Sequence, residues 1–478
     1  MRGIVLCLVT AALIFTTQSV SADTYEVGPG LAYENIGDVP WEDMSAGDLV
    51  LIHWRAQPYK EKWIIGALGT EQDPFIVRGV PNASGDRPVI DGRDATTRSQ
   101  LNFWNEGRGV IKFGDGNTPS TNPTWVEIEN LDIRSGRAPY QFTGRDGLST
   151  YTENCAAIYL AACSNITIRN CILRDSGNGL FSTHTTGDIT VEGCWIYDNG
   201  IEGSIYMHNN YTESFGITFQ YNYFGPLRSG CSGNNLKDRS AGTVIRYNWI
   251  EAGNRQLDLV DSDYESFYND PLYSSTYVYG NILIEPDNAG NSQIVHYGGD
   301  SGETVRYRKG TLYFYNNTVV STRSGNTTLF RLSTNEENCD CRNNIVYVTD
   351  TGNRLAMLNA NGILRLRNNW FKTDWQDSHS GLDGEIFDDG GLVTGAEPGF
   401  VDAGSQNFHL QSGADCENTG TSQHVNVLPD HNPISQYVKH QTIEPRPVDA
   451  TLDIGAYELG EPDLIPPKAP TGLVVQAR

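Results

Sequence analysis

The apolar positions of this chain come in short runs that close on a turn residue, and the runs repeat. From about Gly109 onward, NITIRN (165–170), DITVEG (188–193), ITFQYN (217–222), TVIRYN (243–248), TYVYGN (276–281), TLYFYN (311–316), NCDCRN (338–343) and ILRLRN (363–368) each end on Asn or Gly. Their last residues lie 23, 29, 26, 33, 35, 27 and 25 positions apart. A second short apolar run follows each, such as CILRDS, WIYDNG, ILIEP or IVYVT. A third comes after a loop: GLFSTH, SIYMHN, NNLKDR, QLDLVD, QIVHYG, TLFRLS, LAMLNA. Apolar–polar alternation over so few residues reads as strand. Three strands per repeat of roughly 25 residues is the pattern of a parallel β-solenoid with three sheets. A β-sandwich would show hairpin dipeptides between its strands instead. The uneven spacing places extra length in loops. The closing Asn suits a tight bend, because its side chain bonds the backbone and it tolerates left-handed torsion. Stacked through the repeats, it predicts an amide ladder.

Other stretches set the expected boundaries. Met1 to Ala22 has a basic start, an apolar run and a small-residue exit, which predicts a secretory signal over 1–22 and a secreted or periplasmic protein. No later segment is long and apolar enough to span a membrane. Residues 23–108 hold short β-rich runs divided by Gly, Pro and Asp, expected as an N-terminal cap and the first coils. Residues 109–458 are expected as the solenoid, and 459–478 as a proline-rich linker or tail.

Charge narrows the partners. The formal net charge of −24 argues against nucleic acid bound through a broad basic surface. An anionic partner would need a local cationic pocket or a bound cation. Without Cys7 the chain keeps eight cysteines, an even number that permits disulfides in an oxidising compartment. No paired CxxC is present for a zinc site. A monomer is expected.

Candidate chemistry concentrates between Asn234 and Asp263, NNLKDRSAGTVIRYNWIEAGNRQLDLVDSD. In an extended strand residues i, i+2 and i+4 share a face. Asn235, Lys237 and Arg239 then project together, opposite Leu236 and Asp238. Gln256, Asp258 and Val260 share a face opposite Leu257 and Leu259. Stacked as successive coils, the two runs bring amide, ammonium, guanidinium and carboxylate to one outer patch. His208 and Tyr206, one coil earlier, would flank a sugar there. Tyr264 sits in an aromatic loop (261–275) expected as a substrate wall or lid. Asp258, Asp261 and Asp263 form an oxygen-rich run suited to calcium (Ca2+). Alternatively, Asp238, Asp258 and Asp261 would serve a hydrolase as acid and base.

The repeats resemble the pectate-lyase-like superfamily of right-handed parallel β-helices. KDRSAGTVIRYNWIE followed by LDLVDS is similar to the central motif of polysaccharide lyase family six, the alginate lyase and chondroitinase B group. That resemblance implies an all-β, right-handed parallel β-helix and a lysine base on Lys237 or, aligning by RYN, on Arg239. It implies an arginine on the next coil, where this chain has Val260, so Arg255 just ahead of that strand is the substitute. It also implies calcium, held by acidic and amide side chains, neutralising a uronate carboxylate. EPGFVDAGSQNFHLQSGADCENTG and DIGAYELG resemble closing coils of secreted β-helix proteins, and PPKAPTGLVV resembles the opening of a fibronectin type III domain.

The expectation is a polysaccharide lyase acting on an acidic polysaccharide by β-elimination. Lys237 or His208 would be the base, with Arg239 and Arg255 on the carboxylate. Tyr206, Asn235, Gln256 and Tyr264 would contact sugar, and Asp258 and Asp261 a cation. A glycoside hydrolase, a non-catalytic glycan-binding solenoid and an epimerase are the rivals. Unsaturated products, reducing ends alone, binding alone, and altered uronate composition would distinguish the four.

Overall fold

In the computed structural model, residues 22–447 and 451–460 are described; residues 1–21 of the expected signal segment and 461–478 of the expected tail lie outside them. Three long parallel sheets of 13, 13 and 11 strands wind around one core, each strand pairing with its counterpart on the next coil, as a right-handed parallel β-helix. The eight closing runs all belong to the first sheet, as Cys163–Arg169, Thr186–Glu192, Phe215–Gln220, Ala241–Arg246, Ser275–Tyr279, Thr311–Tyr315, Asn338–Arg342 and Ile363–Arg367. Alternation decides which residues face in: Ile166 and Ile168, Ile189 and Val191, Leu312 and Phe314 are all buried in the core. Each such side chain stabilises the stack by about 1.5–3 kcal/mol.

The bend between the first and third sheets is where the coils lock together. Asn222, Asn248, Asn281, Asn317, Asn344 and Asn369 are fully buried. The side-chain oxygen of each accepts the main-chain N–H of the preceding coil: Asn222 to Asn248 at 3.0 Å, Asn248 to Asn281 at 2.9 Å, Asn281 to Asn317 at 3.0 Å, Asn317 to Asn344 and Asn344 to Asn369 at 2.9 Å. The Nδ2 groups bond backbone carbonyls and the next amide oxygen, as from Asn248 to Phe219 O at 3.0 Å and to Asn281 Oδ1 at 3.0 Å. The expected double duty of one asparagine is split between neighbours. Tyr221, Tyr247 and Gly280, or Asn316, Asn343 and Asn368, take the left-handed torsion, and the following residue carries the ladder. Cys171 and Cys194 extend it in sulfur, with the Cys171 N–H on Cys194 Sγ at 3.4 Å and the Cys194 N–H on Asn222 Oδ1 at 2.9 Å.

The expected disulfides are not formed: the eight cysteines from Cys155 to Cys416 are free. Cys339 and Cys341 share the inward face of one strand and act as small core residues. The coil stack already begins at Thr24–Val27 and ends at Val393–Gly395, so residues 23–108 supply its first coils. The segment expected as closing coils does something else. Two antiparallel pairs, Phe400–Asp402 with Asn407–Leu410 and Ser435–Val438 with Thr442–Pro445, fold back over the outside. Phe408, Tyr437 and Tyr457 cover Trp249, Ile282 and Trp370 of the third sheet, while Val427 and Ile443 cover the tyrosines of the first. The outer face of the second sheet is left to carry the groove. Among the described residues no helix is long and apolar enough to cross a membrane.

Asn281→Ala strands the Asn248 N–H and the carbonyls of Ile245 and Tyr279 in the interior. A loss of about 3 kcal/mol is expected, since each orphaned buried group costs about 1–3 kcal/mol. Urea unfolding of the purified variant measures it, and an unchanged midpoint would contradict a stabilising ladder.

Candidate functional site

The second sheet presents one outward side chain per coil at the same register. Lys112 pairs with Tyr159, Tyr159 with Phe181, Phe181 with Tyr211, Tyr211 with Lys237, Lys237 with Asp258, Asp258 with His296, and His296 with Arg331. The file therefore advances by about 4.8 Å per residue. Its inward neighbours Leu236, Leu257 and Leu259 belong to the core. After Lys112 the file is aromatic through Tyr159, Phe181 and Tyr211, and charged or titratable from Lys237 to Arg331.

Lys237 and Asp258 form the centre. Lys237 Nζ donates to Asp258 Oδ2 at 2.8 Å and to Asp300 Oδ2 at 2.5 Å. Asp258 also accepts from Asn234 Nδ2 at 2.6 Å and from His296 Nδ1 at 2.8 Å, with Arg255 at 3.8 Å. Burial alone would lower the Lys237 pKa, but the two carboxylates outweigh burial and the Arg239 charge, and raise it above the ordinary lysine value. Burial likewise works against an Asp258 carboxylate, and Lys237, His296 and Arg255 overcome it, holding the group well below its usual range. Lys237 is a cation at neutral pH, not the free amine a base requires. Arg239 donates from Nη2 to Asp300 Oδ1 at 2.9 Å, from Nε to the Tyr211 hydroxyl at 3.1 Å and from Nη1 to the Asp261 carbonyl.

Asp300 reaches this pair from the loop after Gln293–Tyr297. Asp261 holds that loop, accepting the Asp300 N–H at 2.7 Å, the Ser301 N–H at 3.3 Å and the Ser301 hydroxyl. Gly298 opens it with φ of 127°, where a Cβ would sit 2.6 Å from Ser333 Oγ, so only glycine fits. Ser333 Oγ lies 3.0 Å from His296 Nε2, completing the order Asp258, His296, Ser333. The Gly299 N–H and the carbonyls of Tyr297 and Gly299 also lie within 3.3 Å of that hydroxyl. Ser333 is thus a peg for the loop and for His296, closed to an attacking role.

The structure gathers Lys237, Arg239, His208, Arg255, Tyr206 and Asp258 along one open groove of about 710 Å³. His208 enters in a single protonation state. Its Nδ1 accepts the Asn234 N–H at 2.8 Å, so the ring proton sits on Nε2. Burial, then the charge of Lys237, pulls its pKa down to about 3. It is a neutral donor and not a base. Asn235 and Gln256 do not face the groove. The strands Leu236–Asp238 and Leu257–Leu259 are three residues long, and both amides lie in the bend that precedes them. There Asn235 Nδ2 bonds the Glu251 carbonyl at 2.8 Å, and Gln256 Nε2 bonds Glu285 at 2.5 Å. Asp238 is also interior, accepting from Thr212, Ser240 and Thr243. The 261–275 loop packs back on the first sheet, with Phe267 against Phe215 at 4.0 Å and Tyr273 buried beside Ala241. Tyr264 alone of its aromatics faces outward to a neighbouring cleft, stacked on His184 at 3.6 Å.

The residues do not fit calcium. Calcium takes six to eight oxygen ligands. The Asp258 oxygens are held by an ammonium, an imidazole and an amide, and those of Asp261 by the Ser301 loop. Among the described residues no group of three or more His, Cys, Asp or Glu could hold a metal ion.

Tyr211, His296, Asp300, Arg331 and Glu213 escaped the sequence reading. Four of them had a signal or sat beside one. In LKD, LDL, VHY and FRL the residue between two inward positions is Lys237, Asp258, His296 or Arg331. The same column holds Tyr211, because the strand there is Asn210–Thr212 and not the SIYMHN run. Glu213 follows it directly. Burial, partly offset by a 2.5 Å hydrogen bond from Ser262 Oγ, lifts its pKa to about 7. Arg255 and Arg331 stand out as under-paired. Arg331 makes no ion pair or side-chain hydrogen bond among the described residues. Arg255 reaches only Gln293 at 2.8 Å and Asp258 at 3.8 Å, and its Nε is buried without a partner. Burial lowers the Arg255 pKa, Asp258 offsets part of that, and the like charge of Arg331 adds to it.

A scan against protein-family models gives no match, and a search of curated proteins gives none. Among solved structures the chain is similar to pectate lyase Pel9A at 13% identity, over 92% of this chain and 98% of that one, with a TM-score of 0.47. It is similar to the GH136 lacto-N-biosidase from Eubacterium ramulus at 10% identity, over 78% and 68%, with a TM-score of 0.43. It is also similar to the PL6 family alginate lyase AlyGC at 13% identity, over 85% and 60%, with a TM-score of 0.37.

Asp258→Asn leaves Lys237 and Arg255 in the wall with one carboxylate fewer, which should cost about 3–5 kcal/mol at neutral pH. Asp258 and Asp300 titrate below their ordinary value. Their stabilisation is therefore complete above about pH 4 and is lost as pH falls through the lowered pKa values. Unfolding free energies from pH 7 down to pH 2 should fall less steeply in the variant than in the wild type. Parallel curves would mean that Asp258 is not the coupled group.

Proposed function

We propose that this chain is an exported enzyme that cleaves a uronate-containing polysaccharide by β-elimination. One observation carries the reading: in a protein of net charge −24, the under-paired Arg255 and Arg331 both line the open groove that holds Lys237 and Arg239, and are near enough to feel each other's charge. Such a pair favours an incoming carboxylate, which it can fork through parallel N–H donors. β-Elimination removes the proton next to that carboxylate, and charge builds on the carboxylate oxygens before the glycosidic oxygen leaves. Lys237 and Arg239 supply fixed positive charge for that enolate, with Asp258 and Asp300 holding them in place. His208 donates from Nε2.

In this scheme Tyr211, once its own hydroxyl proton has passed to solvent, takes the proton next to the carboxylate on its phenolate oxygen. Its oxygen is held by Arg239 Nε, and it lines both the charged groove and the aromatic cleft beside it. Glu213, in the adjoining cleft and protonated up to about pH 7, would protonate the leaving oxygen. One observation favours hydrolysis as the second reading: a protonated Glu213 and an ionised Asp300 resemble the acid and base pair of a glycosidase.

Digestion of uronate polymers, read for ultraviolet absorbance and for reducing ends together, tests the proposal. Both signals should rise in step; reducing ends without absorbance would establish hydrolysis, and neither signal would leave a binding protein. Tyr211→Phe should lower kcat/KM by about 10²–10⁴-fold, and Arg331→Gln should weaken it chiefly through KM. Activity should fall as pH rises through about 7, where Glu213 loses its proton, and Glu213→Gln should remove that limb. A chelator should change nothing, given the donor set around Asp258 and Asp261.

A further inference from the structure

Arg108 ends a short helical turn, Glu106–Arg108, and leads into the strand Gly109–Phe113. Its guanidinium carbon lies 5.0 Å from the Tyr159 ring and 4.8 Å from the Phe181 ring. It makes no ion pair and no side-chain hydrogen bond among the described residues, and its Nε is buried without a partner. That is unusual in a chain with 58 acidic and 34 basic residues, where a carboxylate is seldom far away. The group is partly buried, and a guanidinium with a buried N–H and no acceptor favours an incoming anion.

The surroundings say which anion. Arg108, Tyr159, Phe181, Tyr211, Glu213 and Tyr264 line a cleft of about 560 Å³, and Tyr211 also lines the charged groove, so the two adjoin at that side chain. The acid groups nearby are engaged elsewhere: Asp115 accepts from Trp104 Nε1 at 2.8 Å and Glu213 from Ser262 at 2.5 Å. Tyr159, Phe181 and Tyr211 follow one another in the outward file, so from Tyr159 to Lys237 is three strand spacings, about 14 Å. Aromatic floors accept the apolar faces of sugar rings. A floor of that length with a free cation at its far end suits an oligosaccharide, not a lone sugar.

We propose that Arg108, with Tyr159 and Phe181, forms a second subsite for an acidic sugar unit of the same polymer, several units from the one held at Arg255 and Arg331. This rests on the polysaccharide reading of the groove and extends it: the substrate carries repeated acid groups, carboxylate or sulfate ester, and is bound along its length. Arg331 lies three positions beyond Lys237 on the other side, so a bound chain meets free guanidinium groups toward both ends of the file.

The test is binding, measured by titration calorimetry with the full chain at low salt. The probes are a polyuronate, a sulfated glycosaminoglycan, a neutral mannan, and the disaccharide of whichever acidic polymer binds. Arg108→Gln should weaken the polymer about tenfold, the loss of one charge-assisted contact, and leave the disaccharide unchanged. Phe181→Leu, which keeps volume and removes the ring face, should weaken the polymer in the same direction and serves if Arg108→Gln unfolds. Tighter binding of the polyuronate identifies the carboxylate as the anion, and tighter binding of the sulfated polymer the sulfate. Full-strength polymer binding by folded Arg108→Gln, alongside its loss in Arg331→Gln, would overturn the subsite alone. No acidic polymer bound by the wild type would overturn the subsite and the polysaccharide reading together.

Discussion

The amide ladder at the bend sets the terms for everything on the outside of this protein. A buried carboxamide is tolerated only when its oxygen and both its hydrogens find partners. From Asn222 to Asn369 each finds them on the coil above, on the coil below or on its own strand. A coil that slipped by one residue would break the ladder and turn its core residues outward at the same time. Loops between coils can therefore vary in length while strand register does not. A column of eight side chains, Lys112 to Arg331, stays aligned although the coils that supply it differ in length.

Alignment at a strand spacing makes that column an electrostatic device. Lys237 and Asp258 face each other on neighbouring strands, and His296 continues on the other side of Asp258. Little water reaches them: Lys237 is 7% exposed and Asp258 2%. In such surroundings a charge survives only if paired and hydrogen-bonded. The pairing that makes Lys237 tolerable also fixes its proton. In the proposed elimination the proton-transfer role falls to its neighbour Tyr211, the column's next polar group, which is oriented by Arg239.

The two halves of the groove divide the work by chemistry. Between Lys112 and Lys237 the column is aromatic and offers ring faces; from Lys237 onward it is charged and offers donors and acceptors. The C-terminal segment, which lays Phe408, Tyr437 and Val427 over the other two sheets, leaves this one uncovered. The architecture thus exposes one long face along the helix axis, with an aromatic stretch and a charged stretch side by side.

Much of this was legible in the chain. Short alternating runs with regular closing residues specify coils because alternation is a local property of a strand. The outward direction of Lys237 and Asp258 follows from the leucines beside them. Alternation fails where strands are only three residues long, so Asn235 and Gln256, read as outward, turn into the bend. The outward strand of that coil is Asn210–Thr212, just after the SIYMHN run, which puts Tyr211 and not His208 in the column. Protonation was beyond reach from the sequence. Lys237 is held charged partly by Asp300, more than sixty positions away on a loop tied down by Asp261. Local pattern determined the coil, its core and which residues look outward. Tertiary structure alone decided which of them meet, because the charge state of a buried group is the sum of neighbours delivered by separate coils.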